Sequence, residues 1–482
     1  MKRPADGLGP ILPLDRRLAR PLHRQLYDGV RDAILDGRLR PGQRLPSTRT
    51  LAADLQISRI PVVTAFEQLV AEGYVESRVG AGSFVSSALP RAVGAIAGKP
   101  AGAPPPGPRR VPRERFESAA SPWHDLYGPF RVGQPGLDRF PAAIWARLVA
   151  RRARTLPRRA LAYGDTLGYL PLREALADYL GTTRSVRCTP QQIMIVSGSQ
   201  QALALAGRAL LEAGDPVWFE EPGYSGARDA IRLAGGAPVP VPVDADGLDV
   251  AAGIARHPSA RAAYVTPSHQ YPLGMIMSAP RRLQLLEWAR RRGAWLFEDD
   301  YDGEYRYDNQ PVTSLHGLDG DRRVLYIGTF SKVLFPAVRV GYLVLPADLV
   351  PRFKQVRESM DIFPPTLVQA ALCDFLREGH FARHLRRMNA AYAERRRVLV
   401  AELGDAVEIA GDRAGMHLVL LLPRGADDHA IAIRAAKRGV SVIPLSTCFA
   451  RKPRPGLVLG YGAAREGEIA DAVRRLRQAM RG

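Results

Sequence analysis

The chain has 482 residues, 46% of them hydrophobic and 24% charged, which excludes a mainly disordered protein and exceeds what one ordinary core holds. Two or three domains are therefore expected. The formal charge of +20 invites a nucleic-acid partner, but the excess is spread: 13 basic against 9 acidic residues over 1–90, 6 against 2 over 91–121, and 49 against 37 beyond.

Local pattern has to carry the nucleic-acid reading. Residues 22–35 place Leu22, Leu26, Val30, Ala33 and Ile34 on one helical face. After the turn at Pro41-Gly42, Ser47 is positioned to cap a short helix with Leu51, Ala52 and Leu55 inward. Ser58 starts a third helix, which buries Val62, Phe66, Leu69 and Val70 and stops at Gly73. Pro61 falls in its first turn, where a missing N–H costs little. Two β runs, 74–79 and 83–86, are joined by Gly80-Ala81-Gly82. Three helices and a two-stranded ribbon make a winged helix-turn-helix over residues 1–86.

A major-groove reader needs a helix with donors on its outer face, plus cations for phosphates. The third helix offers Arg59, Val63, Thr64 and Gln68 opposite its core stripe. Arg44 and Arg49 flank the helix before it, and Arg78 sits on the wing beside Gly80 and Gly82. The stretch 22–86 resembles the GntR family through Pro41-Gly42, Leu45-Pro46-Ser47, Arg49, Leu51-Ala52, Ser58-Arg59, Ala65, Leu69, Gly73, Gly80, Gly82 and Phe84-Val85. It departs at Ile60-Pro61-Val62, where the family has Asn or Asp, then Thr-Val. The resemblance implies duplex DNA as partner and Arg44, Ser47, Arg49, Ser58, Arg59, Thr64, Arg78, Gly80 and Gly82 as its contact set.

Residues 87–121 shift to Ala, Pro, Gly and Arg and read as a linker. Beyond it, strand-like runs near 193–197, 216–219, 262–266, 295–299, 324–328 and 340–345 alternate with helical patterns, which indicates an α/β domain over 122–482 with a mostly parallel sheet. A large lobe is expected over about 160–345. The strand near 417–422 and a last helix, 465–480, suggest a smaller α+β lobe over about 346–482. Cys188, Cys373 and Cys448 are far apart without a CxxC pair, so neither a disulfide framework nor a metal site is expected. With no apolar run long enough for a membrane and no signal-peptide pattern, a reducing cytoplasm fits.

Lys332 is one of six lysines and follows an apolar strand through Thr329-Phe330-Ser331. At a strand's carboxyl end its amine points into the crevice where α/β sheets bind ligands, can lose solvation and can form a Schiff base with an aldehyde. Asp299 ends another apolar strand, followed by Asp300 and Tyr301. A buried carboxylate there needs a cation, and a pyridinium nitrogen is one. Ser197-Gly198-Ser199-Gln200-Gln201 closes a strand and opens a helix whose first N–H groups favour a phosphate, and Arg339 adds a fixed cation. Tyr224 is an aromatic able to stack on a ring, and Tyr301 could hydrogen-bond a ring hydroxyl.

These stretches, with Glu221 to Tyr224, Pro267 to Gly274, Glu298 to Tyr301 and Thr329 to Lys332, resemble the fold-type-I aminotransferases. With the winged domain, nearly the whole chain is similar to the MocR/GabR subfamily of GntR regulators. The resemblance implies pyridoxal 5'-phosphate as cofactor, Lys332 as its Schiff-base lysine, Asp299 at the pyridine nitrogen and Tyr301 at the ring oxygen. It implies Ser199, Gln200, Ser331 and Arg339 around the phosphate, with Ser197, Gly198, Tyr224, His269 and Thr329 also among the cofactor-binding residues. Tyr163 is implied to reach the phosphate of a neighbouring subunit in a homodimer. Segment 267–274 lines the ring, with the choice among His269, Gln270 and Tyr271 open. Val458 occupies the slot where substrate-using relatives carry a carboxylate-binding arginine, and a valine cannot form that bidentate pair. The expected function is a transcription regulator of a vitamin B6, amine or amino-acid operon that senses the cofactor or an amine; the alternative is a working aminotransferase with an accessory DNA-binding domain.

Overall fold

The computed structural model describes residues 14–78, 80–87, 128–307, 313–320, 322–404, 407–411 and 413–481. The chain divides into two compact units, Met1–Arg113 and Glu114–Gly482. All but the first residue of the expected linker 87–121 lies outside the described residues.

In the first unit, α1 (Leu22–Leu35), α2 (Thr48–Asp54) and α3 (Arg59–Ala71) precede an antiparallel ribbon of β1 (Val75–Arg78) and β2 (Gly82–Val85). The Ser47 side chain accepts the Thr50 N–H at 3.1 Å and starts α2. Ser58 holds the equivalent position before α3, but its side chain makes no capping bond. The core is built from one face of each helix: Leu26, Val30, Ala33, Leu51, Ala52, Val62, Ala65, Phe66 and Leu69 are buried with Val75 and Val85 of the ribbon. Val70, expected inside, is 37% exposed. The inward stripe runs 62, 65–66, 69, and residue 70 lies about 100° further round the helix. Ala65 takes the inward place instead.

The second unit carries an eight-stranded sheet in the order β3-β10-β9-β8-β7-β4-β5-β6. Its strands are β3 (Ile193–Val196), β4 (Pro216–Glu221), β5 (Ala237–Asp244), β6 (Gly247–Leu248), β7 (Ala262–Val265), β8 (Trp295–Asp300), β9 (Val324–Thr329) and β10 (Gly341–Val344). From β9 to β5 the neighbours run parallel, while β10 is antiparallel to both β3 and β9. The expected six runs are all strands; β5 is one that sequence reading passed over. Its prolines at 238, 240 and 242 alternate, so all three lack an N–H on the same side, and the ladder to β4 survives on the other.

Central strands such as β9 are buried along their whole length, as the continuous apolar runs require. Helices α4 (Ala142–Thr155), α5 (Leu170–Arg184), α6 (Ser199–Leu210) and α7 (Ser225–Leu233) belong to the first half of this unit. A second, antiparallel sheet follows in the order β11-β12-β14-β13, from β11 (Glu408–Ala410), β12 (His417–Leu421), β13 (Ile443–Pro444) and β14 (Gly456–Gly460). Segment 128–136 lies along its edge: Gly460 N–H donates to the Phe130 carbonyl at 2.9 Å. A side chain at Gly460 would meet the Arg131 carbonyl at 2.4 Å, so only glycine permits this approach. No described helix is long and apolar enough to cross a membrane.

Phe66 is a large buried anchor of the first unit, and its truncation leaves a cavity that three short helices cannot refill. Phe66→Ala should cost about 3–5 kcal/mol. Hydrogen exchange followed by mass spectrometry on the full chain should show protection lost in peptides covering α1 and α3. Unchanged protection there would contradict this account of the core.

Candidate functional site

The cavity in the second unit opens where the carboxyl ends of β8 and β9 lie side by side, with Asp299 opposite Ile327. It measures about 260 Å³. Lys332 sits three residues beyond β9, and its Nζ donates to the Gly133 carbonyl at 3.1 Å. Gly133 has φ +72°, and a Cβ there would lie 2.5 Å from Nζ, so the segment can press on the lysine only as glycine. Burial pushes the Lys332 amine below the ordinary lysine range, against the pull of Asp302 and Asp299.

Asp299 enters the same cavity and Asp300 does not. Asp299 Oδ2 accepts the Tyr264 hydroxyl at 2.9 Å, while its buried Oδ1 has no hydrogen-bond partner among the described residues. Burial raises this carboxyl to about 7, which the Tyr264 bond opposes. Asp300, on the other face of the strand, lies 3.1 Å from the buried Arg184 guanidinium and accepts the Tyr326 hydroxyl at 2.5 Å. The alternation of the strand separates a site carboxylate from a structural one.

Tyr301 lines the cavity with its hydroxyl 3.1 Å from His269 Nδ1. His269 itself stands behind the wall, 2% exposed, and meets the cavity through Tyr301 and Asp302. Of the three residues left open by sequence, Tyr271 is on the wall, edge-on to Tyr224 and Tyr301. Gln270 is turned into the buried Glu220 and the Pro222 carbonyl. Tyr224 lines the cavity and receives the Gln200 amide at 3.0 Å.

The phosphate candidates gather at the start of α6. Ser199 is on the cavity wall, and the helix begins after Gly198 at φ +125°. A Cβ on Gly198 would stand 3.6 Å from the Arg339 guanidinium, which places that cation over the helix start. Ser197 N–H is taken by the Gln201 side chain at 2.7 Å. Thr329 receives the Ser331 N–H at 3.2 Å, and the buried Ser331 hydroxyl has no partner. Tyr163 is not brought into this chain's own cavity: it is 83% exposed and packs edge-on to Phe363.

Sequence reading missed Tyr264, Gly133, Asp302 and His417. The apolar strand Ala262–Val265 carried a signal for Tyr264, since a phenol inside a buried run needs a partner. Gly133 is brought in by the chain's path along β14, which no local pattern shows. His269, Asp302 and His417 bring three metal-capable side chains within 4.8 Å of one another. His269 Nδ1 faces Asp302 and His417 Nε2 the Pro272 carbonyl at 3.0 Å, while the buried His269 Nε2 has no hydrogen-bond partner among the described residues. Val458 is fully buried at the centre of β14, in an apolar cluster with Val419, Leu445, Val132 and Ile443. Arg454 instead pairs with Glu408 at 3.1 Å on the surface.

In the first unit the candidate DNA-facing residues are exposed at Arg44, Arg49, Ser58, Arg59, Thr64 and Arg78. Arg59 Nε donates to Thr48 Oγ1 at 3.2 Å, tying the start of α3 to α2. Thr64 Oγ1 bonds back to the Ile60 carbonyl. Ser47 is committed to its cap. Val63 and Gln68 are only half-exposed, and the Gln68 amide donates to Glu72. On the wing, Arg78 lies over the Phe84 ring at 4.7 Å, and Arg44 bridges to Phe84 beside Gly82. Gly80 and Gly82 both have positive φ, at +73° and +102°.

Residues 22–85 match the family described as bacterial regulatory proteins, gntR family, and residues 130–473 match aminotransferase class I and II. The chain is 42% identical to the probable rhizopine catabolism regulatory protein MocR of Rhizobium meliloti, over 98% of this chain and 96% of that one. It is 32% identical to the pyridoxine biosynthesis transcriptional regulator PdxR of Corynebacterium glutamicum, over 93% and 95%. The crystal structure of LysN, an α-aminoadipate aminotransferase from Thermus thermophilus complexed with N-(5'-phosphopyridoxyl)-L-leucine, superposes with a TM-score of 0.70 at 33% identity, covering 76% of this chain and 95% of that one.

The raised carboxyl of Asp299 has a sign that stability can read. Below its unfolded value of 3.8 the group is neutral in both states, and its favourable contribution is lost as pH rises through about 7. In protein stripped of small molecules, Asp299→Asn should therefore raise Tm relative to the unaltered chain, and the gain should grow from about pH 4 to about pH 7 and level off above it. A gain that shrinks over that window would contradict the buried, unpartnered Oδ1.

Proposed function

The chain belongs to the MocR-like gntR-family regulators, pyridoxal-phosphate-dependent DNA-binding transcription regulators with an aminotransferase class I and II domain, and from that premise we propose that Lys332 holds the cofactor as the sensor of an amine. One observation carries the reading: a desolvated amine and a carboxylate with a free buried oxygen face one cavity, beside a helix start crowned by arginine.

The residues fit the cofactor. Asp299 Oδ1 would face the pyridine nitrogen, Tyr301 the ring oxygen, and Tyr224 or Tyr271 the ring. Ser199, the Gly198 turn, Ser331 and Arg339 would hold the phosphate, whose three oxygens suit orphaned donors. The exposed Tyr163 would complete that cradle from a second copy in a homodimer. When bound, the cofactor supplies an aldehyde for exchange with amines and a ring that withdraws electrons. Lys332 would be the amine that holds the aldehyde and gives way to another, and burial weakens its hold on a proton. Val458 supplies no cation to align a carboxylate, and alignment is a large share of transaminase rates. Exchange without efficient turnover suits a sensor better than a catalyst.

On the DNA side, Arg59 at the exposed start of α3 is the base-reading candidate, with Arg44, Arg49 and Arg78 on phosphates. Arg59→Ala should relax sequence preference, costing about 1–3 kcal/mol on the operator. Arg49→Ala should weaken all duplexes alike and reduce the salt dependence. Gel-shift titrations on the DNA upstream of the gene check both, and identical losses on operator and random DNA for the two variants would overturn the assignment.

For the cofactor, borohydride treatment should fix pyridoxal phosphate on the peptide containing Lys332, and Lys332→Ala should lose both the covalent label and the yellow colour. A label on another lysine would overturn the proposed attachment.

A further inference from the structure

Asp302 gives the cavity a second carboxylate, and cofactor binding leaves it without a task. It lines the wall and is 1% exposed. Among the described residues one group holds its side chain: His269 Nδ1 lies 3.1 and 3.2 Å from the two carboxylate oxygens. An ionised carboxylate at that distance keeps the imidazole proton on Nδ1, so Nδ1 donates and cannot accept from Tyr301. His269 is thereby a clamp that aims Asp302, and the Tyr301 hydroxyl stays free to donate into the cavity.

A carboxylate has about four acceptor positions, and a single N–H leaves most of them open. Neither Lys332 nor His417 fills them. Lys332 Nζ directs its hydrogen bond to Gly133, although Asp302 opposes the downward shift of that amine more strongly than Asp299 does. His417 is committed to the Pro272 carbonyl, and burial pushes it down to about 4, so it stays neutral. Among the described residues no arginine lines the cavity, and the β14 position that could carry one is Val458.

We propose that Asp302, clamped by His269, is the effector-recognition group of this cavity. The effector it selects is an amine carrying a second hydrogen-bond donor, hydroxyl or ammonium, and no carboxylate. This rests on Lys332 being the cofactor lysine. An anion brought beside Asp302 is repelled in a site with little water to screen it, whereas a donor gains a charge-assisted hydrogen bond. An analogue without the donor leaves the buried carboxylate unanswered, which is how polar pockets discriminate.

The test uses the full-length holo-protein and four amines of equal carbon count: butylamine, aminobutanol, putrescine and γ-aminobutyrate. Apparent affinity is read from the cofactor absorbance as each displaces Lys332. Aminobutanol and putrescine should bind at least about tenfold more tightly than butylamine, the scale of one charge-assisted hydrogen bond, and γ-aminobutyrate more weakly. In Asp302→Asn the preference for putrescine over butylamine should collapse towards unity. If that variant does not fold, the series on the unaltered protein decides. Equal affinities for all four, tightest binding by γ-aminobutyrate, or a preference retained in Asp302→Asn would overturn the proposal. Holo-protein in which borohydride labels no Lys332 peptide overturns the cofactor reading itself, a failure separate from a flat amine series on labelled protein.

Discussion

The second unit is organised around opposite charges withdrawn from water at the ends of two neighbouring strands. Lys332 after β9 and Asp299 at the end of β8 face one small cavity, and burial disfavours the charged form of each. Neither charge is answered by a direct ion pair with the other. The amine leans on the Gly133 carbonyl and the carboxylate on the Tyr264 hydroxyl, which leaves Asp299 Oδ1 open. A site built this way holds unsatisfied polarity that a ligand with a pyridine nitrogen, an aldehyde and a phosphate relieves at three points. The surrounding rigidity follows from it: Asp300 locked on Arg184 and Tyr326, and His269 locked on Asp302.

Much of this was legible in the sequence because it depends on strand ends. An apolar run followed by a polar residue identifies where a sheet opens to solvent, so Lys332, Asp299 and the Ser197–Gln201 turn could be placed before any fold was known. The winged unit was legible for a similar reason: its caps and turns at Ser47, Ser58, Gly73 and Gly80–Gly82 are local, and α1 spans the expected residues. Legibility ended where the partner is distant along the chain. Gly133 reaches Lys332 only because segment 128–136 lies along β14, and His417 joins His269 and Asp302 from another sheet. The choice between Asp299 and Asp300 depends on which side of the strand faces the cavity. Val70 was assigned inward from hydrophobicity, and helix rotation puts it at the rim. β5 was missed because alternating prolines suppress the usual strand signal.

Val458 joins the chemistry to the regulatory role. Under the proposed function, a valine buried in an apolar cluster would leave the cavity able to exchange amines without a cation to grip an amino acid's carboxylate. The proposed role of Asp302 would then reverse the polarity of that wall. On that proposal the chain would keep the groups that hold and exchange a cofactor and lack the one that aligns a transamination substrate. On the DNA side the sequence departs from its family at Ile60-Pro61, in the first turn of the helix that begins at Arg59.

The central claim is that occupancy at Lys332 changes how the first unit binds DNA. Operator affinity measured by fluorescence anisotropy, with the unaltered chain as apo-protein, with pyridoxal phosphate, and with cofactor plus an exchanging amine, tests it directly. The account predicts affinities that differ by at least about fivefold between states, the lower range of allosteric coupling, and no amine response in Lys332→Ala. Equal operator affinity in every state, with the cofactor demonstrably on Lys332, would contradict it.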